Sequence, residues 1–344
     1  MSLKIQINIY FYFLLNLLLA SLFTCESKVT KFTETRFQMG TIVQITVFEK
    51  NKETAHKQMD QGFAEIDRIA NLFWEGNPDS DIYKFNHRNS DTVEVSAEVA
   101  ALISRAKQIS VNTFGAFDMT IGTLKDLYSF KKGEEKVPDS LIVSETIKNI
   151  GFEKLEIDLK RNLLISENQN FTLLTGAIVK GYAAERALQK IVKENHYGVL
   201  VNAGGDICAS KRSDGQKWLV GVQDPAKKDH LLGTVSIEEG AVVTSGDYEQ
   251  FSIVNGKKYH HIINPLTGFS ADKSHSSTVI APDAEMADAL ATGLFVLGAE
   301  KGLKALINYP DIECLWVDWE GKHIMSEGFY HYYQAFYANS SLVD

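Results

Sequence analysis

In the run Asp283-Ala284-Glu285-Met286-Ala287-Asp288-Ala289-Leu290-Ala291-Thr292, a carboxylate and a hydroxyl stand four residues apart. On a helix, Asp288 and Thr292 project from the same face. There they could give two hard oxygen ligands to Mg²⁺, which keeps waters and takes phosphate oxygens for its remaining positions. The plainer alternative is an exposed acid at a helix start and a threonine packed on the core. Gly176-Ala177-Ile178-Val179-Lys180-Gly181 opens a helix, and helix N-termini suit anions, although it lacks the P-loop spacing and a lysine such as Lys180 is more often a solvated charge. Val201-Asn202-Ala203-Gly204-Gly205-Asp206 follows a strand and sets two glycines where backbone N–H groups can approach a phosphate or a ring; a simple tight turn would look the same. His260 and His261 are adjacent in a strand-like run, so only one of them can face a given site. Thr244-Ser245-Gly246-Asp247-Tyr248 ends a strand in a polar turn.

The elements that must position these residues are legible in outline. Thr41–Phe48 is rich in β-branched residues and reads as a strand. Glu53–Leu72 carries Met59, Phe63, Ile66, Ile69 and Ala70 at helical spacing. Ser96 is the expected N-cap of a second helix reaching Ser110. Leu155–Leu174 reads as a hairpin, and a helix follows from about Ile178 to Lys193. Strand-like runs occupy residues 199–202, 218–222, 234–237, 241–244 and 277–280. Helices at 284–297 and 301–307 precede a last strand at 314–317. Strands come in runs with helices between the runs, which favours an α+β fold over a doubly wound parallel sheet.

The chain has 344 residues and a formal net charge of −9, from 44 Asp and Glu against 35 Lys and Arg. That balance argues against a dedicated nucleic-acid binder, which shows a basic face. Three cysteines, Cys25, Cys208 and Cys314, have no metal-ligand spacing and are too few for a disulfide framework. Lys4 precedes an apolar stretch from Ile5 to Phe23, and the chain turns polar directly after Cys25. A basic start, an apolar middle and an abrupt polar boundary form an export signal; an uncleaved anchor is the alternative, since the stretch is about long enough to cross a bilayer. Leu22-Phe23-Thr24-Cys25 resembles a lipobox, with Thr24 where Gly, Ala or Ser is usual. The expectation is an exported protein on the periplasmic side of a bacterial inner membrane, lipid-anchored at Cys25.

Taken in order, the motifs resemble those of the ApbE family, the FAD:protein FMN transferases. Met39-Gly40-Thr41 resembles the first glycine-threonine motif, and Ser80-Asp81-Ile82-Tyr83-Lys84-Phe85-Asn86 the SEI-x-x-FN segment, with Trp74 near a common aromatic position. Gly115-Ala116-Phe117-Asp118-Met119-Thr120 resembles GAFD-x-T, Gly176–Ala183 the G-x-I-x-KGYA helix, and Asn202–Ile207 the double-glycine turn. Thr244–Tyr248 matches TSGDY, His261–Gly268 resembles HII[DN]P-x-TG, and Ala287–Thr292 resembles ADALAT. The resemblance implies a single two-lobed, T-fold-related α+β domain over residues 30–335, behind a signal at residues 1–25. Antiparallel sheets with flanking helices would hold FAD in a cleft. It implies Mg²⁺ held by Asp288, Thr292 and the backbone of Ala177, with Met39, Trp74, Ala116, Phe117, Asp118, Lys180 and His261 at flavin- or adenine-side positions. It also implies transfer of FMN from FAD to a threonine hydroxyl of an acceptor protein, a respiratory electron-transfer subunit, with release of AMP. Lys180 would offset phosphoryl charge, and His261 or Asp247 would accept the hydroxyl proton.

Two positions depart from the family pattern. Leu174 stands where an Asp contacting FAD is usual, and Leu266 where an Arg is common. Leucine cannot accept a hydrogen bond, so that contact is missing or supplied elsewhere. The competing readings keep the fold and change the chemistry: an FAD pyrophosphatase giving FMN and AMP, or a flavin-binding lipoprotein without catalysis.

Overall fold

The computed structural model describes residues 28–335; the export signal and Cys25 lie outside them. The described chain opens with a hairpin, β1 (Thr30–Gln38) and β2 (Thr41–Glu49). Helix α1 (Lys52–Phe73), the short α2 (Asp81–Asn86), β3 (Thr92–Glu94) and α3 (Ala97–Asn112) follow. An irregular stretch carries α4 (Gly122–Lys125), α5 (Ser140–Ile147), β4 (Glu156–Asp158) and β5 (Leu163–Ile165). Then come α6 (Val179–Val192), β6 (Val199–Ala203), β7 (Asp206–Ala209), β8 (Trp218–Gln223), β9 (Leu231–Ile237) and β10 (Gly240–Gly246). The chain continues through β11 (Phe251–Val254), β12 (Lys257–His260), β13 (Ser274–Ala281) and α7 (Ala284–Leu306), then β14 (Glu313–Asp318), β15 (His323–Met325) and β16 (Tyr333–Ala335).

Eight strands form one sheet in the order β1-β2-β6-β7-β10-β13-β14-β15, every neighbouring pair antiparallel. Its residues alternate between two cores, as the two-residue pleat requires. Val199, Val201, Val243, Val279 and Trp316 face a core shared with the helices. Val242, Ile280 and Leu315 face a smaller core closed by Trp218, Val220, Val235 and Phe329, where the three-stranded sheet β16-β9-β8 lies. On the helix side α1, α6 and α7 pack side by side against the sheet. The α+β expectation holds, with antiparallel sheets and flanking helices.

Local chemistry sets the element ends. Asn51 accepts hydrogen bonds from the N–H groups of Glu53 and Thr54 (2.8 and 3.1 Å), and Ser96 accepts from Val99 N–H (3.3 Å); both satisfy donors a helix start leaves orphaned. Asp283 does the same for α7 through Met286 N–H (2.9 Å). One expectation needs correction. The hairpin expected across Leu155–Leu174 ends at Ile165, because the chain beyond it turns to bond with loops near the site rather than with a strand. The two C-terminal helices are present as expected, parted within α7 by a break at Gly298, whose φ of 68° and ψ of 174° no other residue adopts cheaply.

Candidate active site

The cluster around Asp288 is built at the junction of α6 and α7. Gly181 makes it possible: a Cβ there would lie 2.1 Å from Ala284 O and 2.7 Å from Asp288 Cβ, so only glycine lets the two helices approach so closely. Gly181 is the third residue of α6, so its N–H has no partner within the helix; it donates to Asp288 Oδ2 at 3.0 Å. Asp288 is buried, so the exposed-acid alternative is excluded. Lys180 Nζ lies 3.7 Å from Asp288 Oδ1 and donates to Asp206 Oδ2. Burial raises the pKa of Asp288, with the neighbouring Asp206 charge adding to it and Lys180 opposing. Burial alone would favour a neutral Lys180, but Asp206 and Asp288 outweigh it and hold the ammonium charged. One turn along α7, Thr292 Oγ1 lies 3.3 Å from Ser245 Oγ on β10.

The turns at this end of the sheet converge. Met39 and Gly40 form the two-residue turn of the β1–β2 hairpin, with φ of 51° and 71°, the paired positive values of a type I′ turn. Gly204 N–H donates to Ile42 O (2.9 Å), and a Cβ on Gly204 would meet Thr41 Oγ1 at 2.4 Å. Asp206 begins β7 directly after this turn. Asp118 Oδ1 accepts from Thr120 N–H and Oγ1 (both 2.7 Å), and burial pushes its pKa up to about 6.

β12 ends at His260, and the two histidines have different surroundings. His260 is buried, its Nε2 2.8 Å from Ala271 O and its ring edge-on to Phe295. His261 is half-buried, and its backbone N–H and Nδ1 both approach Gln250 O (3.0 and 3.3 Å). Nδ1 therefore carries the hydrogen in the neutral ring and Nε2 keeps its lone pair. Burial lowers the His261 pKa to about 4. Asp247 is fully buried, with Oδ2 bonded to His275 Nδ1 (2.8 Å) and Lys258 Nζ (3.0 Å). Its other oxygen, Oδ1, is buried without a hydrogen-bond partner among the described residues.

A model of the ApbE family matches residues 39–316. The chain belongs to that family. It is 28% identical over 314 residues to the FAD:protein FMN transferase of Treponema pallidum, covering 85% of this chain and 86% of that one. A Klebsiella pneumoniae FAD:protein FMN transferase is 30% identical over 282 residues, covering 81% and 86%. The solved ApbE protein of Thermotoga maritima superposes with a TM-score of 0.81 at 32% identity, over 89% of this chain and all of that one. The apo flavinyl transferase ApbE of Pseudomonas stutzeri gives 0.75 at 25% identity, over 90% and 98%.

Within this ApbE fold, Trp74 caps α1 with its ring 61% exposed, free to stack on a planar ligand. Ala116 and Phe117 are buried; Phe117 packs against Gly293, beside Thr292, so these two side chains belong to the core. Leu174 is half-buried, its N–H bonded to Met119 O (2.7 Å). Its neighbours are clamped as well. Leu173 exchanges two bonds with the Asn86 side chain (2.7 and 2.9 Å), and Thr175 holds Glu75 Oε1 through N–H (2.5 Å) and hydroxyl (2.8 Å). The backbone of this segment is fully fixed, and a carboxylate, Glu75, sits beside Leu174. Sequence reading singled out the glycines before Asp206 but not its carboxylate, and it missed Glu75 and Gln250 altogether. Each acts through a partner 26 or more residues away or, for Gln250, through a main-chain carbonyl that carries no sequence signal.

Among the described residues no group of three or more His, Cys, Asp and Glu side chains could hold a metal. The Asp288 carboxylate and the Thr292 hydroxyl, one turn apart on α7, are instead a pair of hard oxygens. That set fits Mg²⁺, which completes its shell with water and phosphate.

Proposed function

We propose that this chain is an FAD:protein FMN transferase, a Mg²⁺-dependent enzyme that moves the FMN moiety of FAD to a threonine hydroxyl of an acceptor protein and releases AMP. The observation that carries the reading is the junction of α6 and α7: Gly181 N–H and Lys180 converge on buried Asp288, with Thr292 one turn beyond. Asp288, Thr292 and the Ala177 carbonyl would hold Mg²⁺, which when bound offsets charge on the diphosphate. Lys180, kept charged by two carboxylates, supplies positive charge to the phosphoryl oxygens. His261 Nε2 accepts the threonine proton; Asp247 is buried, with Oδ2 held by Lys258 and His275. A bond forms between the threonine oxygen and the FMN-side phosphorus, the phosphorus–oxygen bond to AMP breaks, and AMP leaves with the electron pair.

The export signal and the lipobox-like Leu22–Cys25 support work outside the cytoplasm, tethered at Cys25, on acceptors that are electron-transfer subunits at the same membrane face. Incubating the mature protein with FAD, Mg²⁺ and a threonine-bearing acceptor domain tests the activity. The expected products are FMN-labelled acceptor and AMP in equal amounts. Free FMN and AMP with an unlabelled acceptor would make the chain a pyrophosphatase, and unchanged FAD would make it a binding protein.

A further inference from the structure

Lys180 starts beside the bond that holds Asp288. It is the second residue of α6, and the next residue, Gly181, gives its N–H to Asp288 Oδ2 at 3.0 Å. A lysine stem is flexible, so its ammonium can settle on whichever carboxylate within reach holds it best. Here it hydrogen-bonds to Asp206 Oδ2. From Asp288 Oδ1 it stays 3.7 Å away, an ion-pair distance too long for a hydrogen bond. Asp288 Oδ1 is therefore not committed to that donor, on a helix where Thr292 stands one turn further on.

Asp206 is fixed where it can do this. Strands β6 and β7 are joined by the two-residue turn Gly204–Gly205, with φ of 67° and 103°, and Ala203 pairs with Asp206 across it. The Asn202 side chain closes the turn by accepting Gly205 N–H (2.8 Å). Asp206 is buried, and β7 lies between β6 and β10 with α6 packed on it. The carboxylate belongs to the rigid sheet, and the ammonium comes to it. Among the described residues Lys180 pairs with Asp206 and Asp288 and with no other carboxylate. One ammonium between two carboxylates leaves one negative charge for an added cation. Without the Asp206 charge Lys180 would keep Asp288 as its partner, and a divalent cation would have to break a buried ion pair to reach it.

We propose that Asp206 is a positioning residue: it draws Lys180 aside and so sets how tightly Asp288 and Thr292 hold Mg²⁺. The inference rests on the transferase reading, whose metal site it concerns. Asp206 acts through Lys180 and not as a ligand of the metal.

The test reads binding of Mn²⁺, which takes the same hard oxygens as Mg²⁺, to the mature protein by electron paramagnetic resonance of the free ion. It uses Mg²⁺ as competitor and needs neither FAD nor turnover. Asp206→Asn keeps an acceptor for Lys180 and removes the charge. It should weaken Mn²⁺ binding roughly ten- to hundred-fold, the range for a hydrogen bond to a charged group. Adding Lys180→Met removes the competing ammonium, so the double variant should return close to the wild-type affinity. Lys180→Met alone should bind Mn²⁺ more tightly than the wild type, and it decides if Asp206→Asn does not fold. Unchanged affinity in Asp206→Asn, or equal or weaker affinity in Lys180→Met, overturns the proposal. So does an equal loss in Asp206→Asn and the double variant, which would make Asp206 a ligand or a prop of the fold. Absence of Mn²⁺ binding in all four proteins removes the metal site and the proposal together. The expected order of affinities, with no FMN transfer from FAD to an acceptor domain, removes the transferase reading and leaves the role of Asp206 standing.

Discussion

Asp288 gives up solvation to sit between a backbone N–H and an ammonium, and burial raises its pKa. A charge held at that cost is informative to remove. Asp288→Asn keeps an oxygen for Gly181 N–H but loses the anionic ligand. Mg²⁺-dependent turnover should fall by orders of magnitude while the melting temperature holds or rises; a variant with near-normal, Mg²⁺-stimulated turnover would exclude this site. His261 gives a pH prediction. Its folded pKa, about 4, lies below the unfolded value of about 6.5, so the unfolded chain binds the extra proton first. The stability it contributes is complete above pH ~6.5 and is lost as pH falls toward about 4. The acid limb of kcat/KM from this group should likewise appear well below pH 6. A limb near 6.5 that disappears in His261→Gln would contradict the assignment. Leu174 sits on a backbone fixed by Met119, Asn86 and Glu75, so a side chain placed there keeps its direction. Leu174→Asp should tighten FAD binding roughly five- to hundred-fold, the range for pairing a buried donor. Calorimetry showing equal or weaker affinity would mean that the pocket is built around leucine, with Glu75 as its carboxylate.

Helix α6 meets α7 at a separation that one missing methyl decides. In Gly181→Ala the new Cβ meets a main-chain carbonyl, which cannot rotate away, so the helices must part. Overpacking of this kind costs about 1–3 kcal/mol and should lower the melting temperature by several degrees. Turnover should fall further than stability, because Asp288 moves with α7; a variant with wild-type activity would show that the junction is not the site. Elements with a strong period were legible in the sequence: α1, α3, α6 and most strands of the large sheet. So was the kinship of the motifs, because each glycine-rich run answers a local backbone need. The pairing of Lys180 with Asp206, the Glu75 clamp and the grip of Gln250 on His261 were not, since they join elements whose approach only the packed sheet and helices determine. The hairpin beyond Ile165 was over-read for a related reason: its alternation resembles a strand, but its hydrogen bonds go to the side chain of Asn86, the backbone of Met119 and the side chain of Glu75.

Over the whole molecule the large sheet is covered on both faces, by α1, α6 and α7 on one and by β16-β9-β8 on the other. Strand β1 is an edge strand of that sheet, and its far end is the Met39–Gly40 turn beside the Gly204 turn and Asp206. That edge strand is also a ruler. Four residues lie between Cys25 and Thr30, so the five steps from one to the other reach at most ~18 Å, and the nine residues of β1 add about 30 Å. With the chain tethered at Cys25, β1 would carry the site away from the bilayer to a fixed working height. Fatty-acid labelling should mark the wild type and not Cys25→Ser. Lengthening the segment between Cys25 and Thr30 should alter FMN transfer to a membrane-embedded acceptor while leaving transfer to a soluble acceptor domain untouched. Equal rates on both acceptors at every length would remove the height requirement. If it holds, the first strand of the fold selects partners by how far their threonine stands above the lipid, a criterion set before any side chain touches them.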